Sequence, residues 1–569
     1  KNKKKQKKTL LKMFKFALFL ALATVNSVFG DVYMHNPRGS NNRLRRNDDN
    51  NDVNNANRLF NSQNNDKGGY DVGEVSGERD KMFYYEDSIM NIEWTAQHGC
   101  SIQSGPGENT HCEIILQYMC SDLLRDGATT DTINEDSSEE TNFAVGMHEP
   151  FDYYDACQNR ERNRGLFLAD RDIVDPLGDT AEFTRQNNNE NRRGFECQEE
   201  RDYYPYWHPT PWKDIAVLTS LPERCTYYEA ESQNVKEKWH CRKPNYAHNN
   251  EEDCPAEDWI SEPAHGIPAP DCRSPPWSRD NHLGNTDDGY MSSYNWTIPA
   301  ANENTGQCVL RLRYNISTSD YDYNIDFSYN APNSPVNQDP YVDFGWEGQK
   351  LSLALNTNQY GRTFQDRSHS FRIEPRTLAI DATCNKIHNL NVRGKRGTIV
   401  QTYPAVQYDF TPNRLVIETG DCVHFQWTGS DSNAAGLVGE GATRTDRSNI
   451  CQIETLQDNF CMDIADVDMF DYNTAVKMVH LGQTNCDTLT QLTAEYLDPG
   501  ATMTDNEEMY QDESNCMKLN AATPYFSELV QFDTAGVFFY MSPRNNVIGR
   551  QTQKATLVVE DPNAPTSSS

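Results

Sequence analysis

Arg414-Leu-Val-Ile-Glu-Thr-Gly-Asp-Cys-Val-His-Phe-Gln-Trp427 carries two short runs of aliphatic, β-branched and aromatic residues on either side of Gly420-Asp421. Alternation at period two puts such residues on one face of a strand, so the stretch reads as strand, turn, strand. Similar runs at 397–405, 536–541 and 554–560 make an all-β unit of residues 381–562, interrupted by a helical or loop insertion at about 451–527. Toward the N-terminus, strand patterns fall at 82–94, 112–120, 294–298, 308–314, 323–329 and 350–355, which defines a first unit over 31–380. Within it Cys112-Glu-Ile-Ile-Leu-Gln-Tyr-Met-Cys120 is an apolar run closed by cysteine at both ends, a buried strand pinned by disulfides. The stretch at about 121–288 has no lasting periodicity and is rich in acids, Asn and Pro, with widely spaced cysteines. A loop of that length inside a compact domain has to be tied down. The expected fold is mostly β: two β-sandwich or Greek-key domains with long disulfide-stapled loop insertions.

The ends and the charge place the chain in a compartment. Residues 1–12 are a basic tract ahead of Met13, and 13–30 hold a short apolar core ending in small residues, the pattern of a secretory signal cleaved near Gly30. That core, 16–25, is too short to span a bilayer, and no second run of spanning length follows. The 569 residues have a formal net charge of −32. Eight of the 52 basic side chains fall in 1–30 and no acid does, so the remainder has 44 against 84 acids, a balance of −40. Nucleic acid is excluded as a partner by that charge, which favours solubility and cationic surfaces. Residues 563–569 form a Ser-rich tail.

Sixteen cysteines are present: Cys100, Cys112, Cys120, Cys157, Cys197, Cys225, Cys241, Cys254, Cys272, Cys308, Cys384, Cys422, Cys451, Cys461, Cys486 and Cys516. The number is even, no CxxC pair occurs and a signal sequence precedes them, so disulfides are expected rather than zinc, with the pairing left open. Asn295-Trp-Thr and Asn315-Ile-Ser are N-glycan acceptor sequons suited to the same compartment.

Several segments resemble known families. Asp31-Val-Tyr-Met-His-Asn-Pro-Arg-Gly-Ser40 resembles the mature start of lytic polysaccharide monooxygenases, Glu93-Trp-Thr-Ala-Gln-His-Gly99 their second conserved segment, and Trp296-Thr-Ile-Pro299 with Cys308-Val-Leu-Arg-Leu-Arg-Tyr314 their late strands. The resemblance implies a copper held by an N-terminal histidine and a second imidazole. His98 matches the second ligand, but Asp31 stands in the first position, and a carboxylate cannot supply an imidazole nitrogen. Asp31 and His98 are therefore vestigial metal candidates. Cleavage after Met34 would make His35 the terminus, with Pro37 then too early for the motif.

The stretch quoted at the outset, together with Gly536-Val-Phe-Phe-Tyr-Met-Ser-Pro-Arg-Asn545, resembles a cupredoxin. That family brings Cys, His and Met to one copper, yet the corresponding loop here reads Thr428-Gly-Ser-Asp-Ser-Asn433 and the late strand offers Met541, Ser542 and Arg544. The resemblance implies a cupredoxin-like scaffold without type 1 copper. The order of Tyr33–Ser40, Gln359–Ser368, His388–Gly394 and Thr445–Ile450 also resembles a family of large secreted glycoproteins of social amoebae and other protists, which implies a developmental or surface role.

Two other features carry chemistry. Tyr203-Tyr-Pro-Tyr-Trp-His-Pro-Thr-Pro-Trp212 is the densest aromatic stretch, and Tyr203, Tyr204, Tyr206, Trp207 and Trp212 are candidates for an interaction surface, against packing inside the insertion. Asp320-Tyr-Asp-Tyr-Asn-Ile-Asp326 alternates acids with aromatics, which leaves calcium open beside a solvated acidic face. No phosphate loop, HExxH or GxSxG motif stands in a fitting context. The expectation is a secreted, non-enzymatic glycoprotein that is a structural or assembly subunit of a coat, matrix or filament, self-associating or bound to other surface proteins, with no cofactor. A carbohydrate-binding descendant of a polysaccharide monooxygenase and a copper oxidoreductase are the alternatives.

Overall fold

The computed structural model describes residues 32–37, 82–96, 111–121, 172–174, 180–182, 204–206, 209–241, 257, 259–275, 292–317, 341–343, 350–352, 363–368, 371–394, 408–428, 447–496, 509, 512–519, 521–523, 525–543 and 553–563. The signal sequence, Asp31, His98, and the strands expected at 323–329 and 397–405 lie outside them.

The N-terminal strands are β1 (Val32–Asn36), β2 (Phe83–Tyr85), β3 (Ile89–Ala96), β4 (His111–Cys120), β5 (Asp172–Val174), β6 (Thr180–Glu182), β7 (Lys213–Thr219), β8 (Lys238–Cys241), β9 (Trp259–Glu262), β10 (Asp271–Arg273), β11 (Ser292–Thr297), β12 (Cys308–Ser317), β13 (Tyr341–Asp343), β14 (Lys350–Ser352), β15 (Thr363–Arg367) and β16 (Arg372–Glu374). The C-terminal ones are β17 (Ile387–Gly394), β18 (Tyr408–Thr411), β19 (Arg414–Glu418), β20 (Asp421–Thr428), β21 (Cys451–Ile453), β22 (Tyr525–Phe532), β23 (Gly536–Met541) and β24 (Lys554–Glu560).

Three sheets build two sandwiches. The first sheet has the order β1-β3-β17-β20-β22, with β11 on β3 and β18 on β17. The second is β10-β7-β4-β12-β15 and the third β19-β24-β23-β21. The N-terminal core lies between the first two, where Met34, Ile92 and Trp94 meet Ile114, Leu116, Leu310 and Leu312. The C-terminal core packs Val423, Phe425 and Trp427 of β20 against Leu415, Ile417, Tyr540 and Leu557 of the third sheet. In β19 Leu415 and Ile417 are buried between exposed Arg414, Val416 and Glu418, as the alternation requires.

Two features depart from the reading of the sequence. The stretch at 121–288, expected as a loop insertion of the first domain, contributes strands to the second sheet, where β7 pairs with β4 on one side and β10 on the other. Its Ile215-Ala-Val-Leu218 is a four-residue apolar run in a polar context, too short to register as periodicity. The two units also share a sheet. β17 runs parallel to β20, with Ile387 opposite Cys422 and Leu390 opposite Phe425, and meets β3 where His388 lies opposite Ile89.

The turn in the opening stretch ties these strands. Gly420 has φ 86° and a Cβ there would come within 2.5 Å of Asn385 Nδ2, so only glycine fits. Gly420 N donates to Phe532 O and Asn385 N to Gly420 O, at 2.8 and 2.9 Å. Buried Asp421 then accepts from Lys386 N and Glu418 N, both at 3.1 Å, and lies 3.0 Å from His388 Nε2.

Among the described residues the disulfides are Cys120–Cys308, Cys225–Cys272, Cys384–Cys422, Cys451–Cys461 and Cys486–Cys516, Cys112 is also bonded, and no cysteine is free. Cys384–Cys422 spans 38 residues and clamps the start of β17 onto β20. Replacing both cysteines by alanine is expected to lower unfolding stability by about 2–4 kcal/mol, because the open loop regains chain entropy. Urea titration checks this, and an unchanged midpoint would mean that hydrogen bonding alone holds the pair.

Candidate functional site

The resemblance to copper proteins directs attention first to the late strand. Met541 ends β23 opposite Cys451 and is buried with Ile453, Val479 and Phe539. Cys451 is bonded to Cys461, so its sulfur cannot serve as a thiolate. Ser542 is fully buried and closed on Asn449: its hydroxyl donates to Asn449 Oδ1 at 3.0 Å and accepts from Asn449 N at 3.2 Å. Asn449 Nδ2 donates to Val479 O at 2.9 Å, and Ser448 Oγ donates to Gln553 Oε1 at 3.3 Å. This corner presents a thioether, hydroxyls and amides already engaged with one another, a donor set that does not fit type 1 copper. Among the described residues no three His, Cys, Asp or Glu side chains come together as a metal-binding group. The 428–433 loop beyond Thr428, and Arg544, lie outside the described residues.

His35 does not offer the other copper route. It sits in β1, which pairs with β3; Met34 is in the core, and Met34 N donates to Asp366 Oδ2 at 2.9 Å. A cut after Met34 would remove Val32 and Met34 from the N-terminal core. Burial, with the Arg393 charge nearby, holds the His35 imidazole well below its usual range.

The aromatic stretch is interior. Tyr204, Tyr206 and Trp212 are buried, which overturns the interaction-surface reading for these three; Tyr203 and Trp207 lie outside the described residues. The physical reason is on β12. Its Leu310, Leu312 and Tyr314 fill the core, so Arg311 and Arg313 project from the opposite face, and the aromatic stretch covers them. The Arg311 guanidinium lies 4.1 Å from the Trp212 ring centre, and that of Arg367 5.1 Å. Arg311 also donates to Gln117 Oε1 at 2.7 and 3.0 Å, and Arg313 to the Tyr206 hydroxyl at 3.0 Å.

The densest chemistry is a polar seam where the two domains meet, which sequence reasoning missed. β20 is buried along its whole length: Val423, Phe425 and Trp427 feed the C-terminal core, and His424 and Gln426 face β2. Gln426 replaces a neighbouring strand for Phe83, accepting from Phe83 N at 2.9 Å and donating to Phe83 O at 2.7 Å; the Tyr525 hydroxyl also donates to it at 2.9 Å. Asn389 Nδ2 donates to Ser88 Oγ and Ile89 O, at 2.9 and 3.0 Å. With both protons used, Asn389 Oδ1 accepts from His424 Nδ1, 3.1 Å away, which leaves Nε2 to accept from the Ser527 hydroxyl at 2.9 Å.

A serine, an imidazole and an orienting amide in this order have the geometry of an activated nucleophile. The energetics argue the other way. Burial beneath Phe83 and Tyr85 pushes the His424 pKa down to about 3. An amide, not a carboxylate, stands behind it. Protonating this imidazole at neutral pH costs about 5 kcal/mol, which makes it a poor acceptor for a serine proton.

A charged triplet continues the seam. Arg393 Nε lies 2.9 Å from Glu93 Oε1, an ion pair without hydrogen-bond alignment, and Arg393 Nη2 donates to Asp409 Oδ2 at 3.3 Å. Burial raises the Glu93 pKa to about 7 against the pull of Arg393, with Asp409 adding to the rise, and raises that of Asp409 to about 6. One buried cation thus serves two carboxylates, and burial holds both above the ordinary carboxylate range.

Because Glu93 binds its proton more tightly folded than unfolded, its stabilising contribution is complete below about pH 4.5 and is lost as pH rises through about 7. Asp409 acts in the same sense through about 6. Thermal midpoints should fall between about pH 4.5 and pH 7, and Glu93→Gln should flatten that fall. An equally steep profile in the variant would sink the assignment. Arg393→Met, which leaves two buried acids without a cation, should cost about 3–5 kcal/mol in urea titration, and Glu93→Gln in the same chain should restore part of it. Full additivity of the two changes would show that the residues do not interact.

Two family models match the chain, a DD3-3 N-terminal domain over residues 30–373 and a DD3-3 cupredoxin-like domain over 385–559. No curated protein matches it. Among solved structures, the oxidised form of plastocyanin from Dryopteris crassirhizoma is similar at 13% identity, covering 30% of this chain and 99% of that one, with a TM-score of 0.14.

Proposed function

Starting from the membership of this chain in the DD3-3 family, we propose that it is a secreted, non-enzymatic glycoprotein and a structural or assembly subunit of a cell-surface coat, matrix or filament. The observation that carries this reading is the state of the cupredoxin corner. Met541 is packed beside the Cys451–Cys461 disulfide and Ser542 is locked to Asn449, so its polar groups serve packing in place of metal chemistry. The remainder is consistent with a mechanical role. One sheet runs through both domains, disulfides clamp strands in each, and the interdomain contacts are buried and hydrogen-bonded. Such a body resists relative motion of its halves, which suits a subunit that transmits load rather than a hinged enzyme. Secretion is supported by the cysteine chemistry. No described helix is long and apolar enough to cross a membrane.

The test uses the full chain from the medium of producing cells. Its mass in solution is measured by light scattering over a range of concentrations, its copper content by elemental analysis, and its retention on cellulose and chitin by pull-down. Concentration-dependent assembly without stoichiometric copper is the expected result. One copper per chain, or a monomer retained on polysaccharide, would overturn the assembly reading in favour of an oxidoreductase or a carbohydrate-binding protein.

A further inference from the structure

The two sequons, identical in kind along the sequence, occupy opposite environments in the fold. Asn295 is on β11, whose described partner is β3, in register with Asn91. Its side chain is exposed, and so is that of Thr297, two residues on and therefore on the same face, while Trp296 between them points into the N-terminal core. Asn91 Nδ2 donates to Asn295 Oδ1 at 2.9 Å. That bond engages the amide oxygen of an exposed side chain, and an N-linked sugar keeps the oxygen as an acceptor.

Asn315 is on β12, inside the second sheet, opposite Glu113 of β4 and Thr363 of β15. It is 8% exposed and shares its strand face with Arg311 and Arg313, the side chains covered by Tyr206 and Trp212. A branched oligosaccharide is larger than any side chain in that layer, and interiors packed to crystal density have no room for one.

We propose that Asn295 carries an N-linked oligosaccharide standing over the exposed β11 edge and that Asn315, despite its sequon, is bare in the folded protein. This rests on the reading of the chain as secreted. In the modification the Asn295 amide nitrogen attacks the anomeric carbon of a lipid-pyrophosphate-linked oligosaccharide. The N–C bond forms, the bond from that carbon to the pyrophosphate oxygen breaks, the lipid pyrophosphate leaves and an amide proton is lost to a base. A chain modified at Asn315 during synthesis could not close β12 between β4 and β15, and would be lost as misfolded. Among the described residues β11 pairs on one side only, so the sugar on Asn295 places bulk and hydration at a strand edge that otherwise invites pairing with another chain.

The full chain is expressed in a eukaryotic host in two forms, one with its own N-terminus and one with a heterologous secretory leader ahead of Asp31. Glycan release by an amidase in heavy-oxygen water, followed by peptide mapping, reads the occupancy of each asparagine. The expected result is heavy-oxygen aspartate at position 295, asparagine at 315, and release without prior denaturation. Thr297→Ala removes the sequon but leaves the Asn91–Asn295 bond, and should lose the whole glycan mobility shift while retaining the native unfolding transition. An oligosaccharide on Asn315 in cooperatively folded protein, or a vacant Asn295 in protein recovered from the medium, would overturn the proposal. If only the form with the heterologous leader is exported, the secretory reading fails, and occupancy in that form still decides the site.

Discussion

The burial of β20 on both faces is the constraint on which the rest of the architecture turns. A strand with Val423, Phe425 and Trp427 on one side and His424 and Gln426 on the other can satisfy its apolar half with a second sheet, as any sandwich does. Its polar half needs hydrogen-bond partners shielded from water, since an unmet buried amide or imidazole costs about 1–3 kcal/mol. The first domain supplies them to Gln426 directly, through the backbone of Phe83, and to His424 by way of Asn389, whose amide donates to Ser88 Oγ and Ile89 O. The domains are joined by a requirement of one strand rather than by a patch of surface.

That requirement explains why the seam is polar. An apolar interface could slide, whereas the paired bonds of Gln426 to Phe83 and the doubly donating amide of Asn389 fix one register. The Glu93–Arg393–Asp409 triplet adds direction but little net energy, because desolvation of three charged groups offsets most of their attraction. Its consequence is chemical. A buried site with one more acid than cation responds to pH in the neutral range, where exposed carboxylates do not.

The same economy of buried polar groups is seen on the far side of the first domain. Arginines alternate with leucines on β12, and both faces of the strand are covered. Stacking of Arg311 on Trp212 and the hydroxyl of Tyr206 on Arg313 make that burial tolerable. The aromatic stretch is therefore packing for charge. The signal that could have found it was the pairing of two motifs, an Arg-alternating strand and a Pro-stiffened aromatic run, neither of which is informative alone.

Alternation of apolar residues determined that this chain is β-rich, because side-chain direction in a strand follows from the backbone alone. Cysteine number and context likewise determined that the sulfur of the described cysteines would be cross-linked. What only the tertiary structure decided was neighbourhood. Whether Asn295 and Asn315 face water or protein, whether Tyr204, Tyr206 and Trp212 are surface or interior, and that β3 and β17 share a sheet all depend on which distant strands pack together. Local periodicity says which way a side chain points and is silent about what covers it, because that cover comes from residues hundreds of positions away whose burial is settled by the fold as a whole.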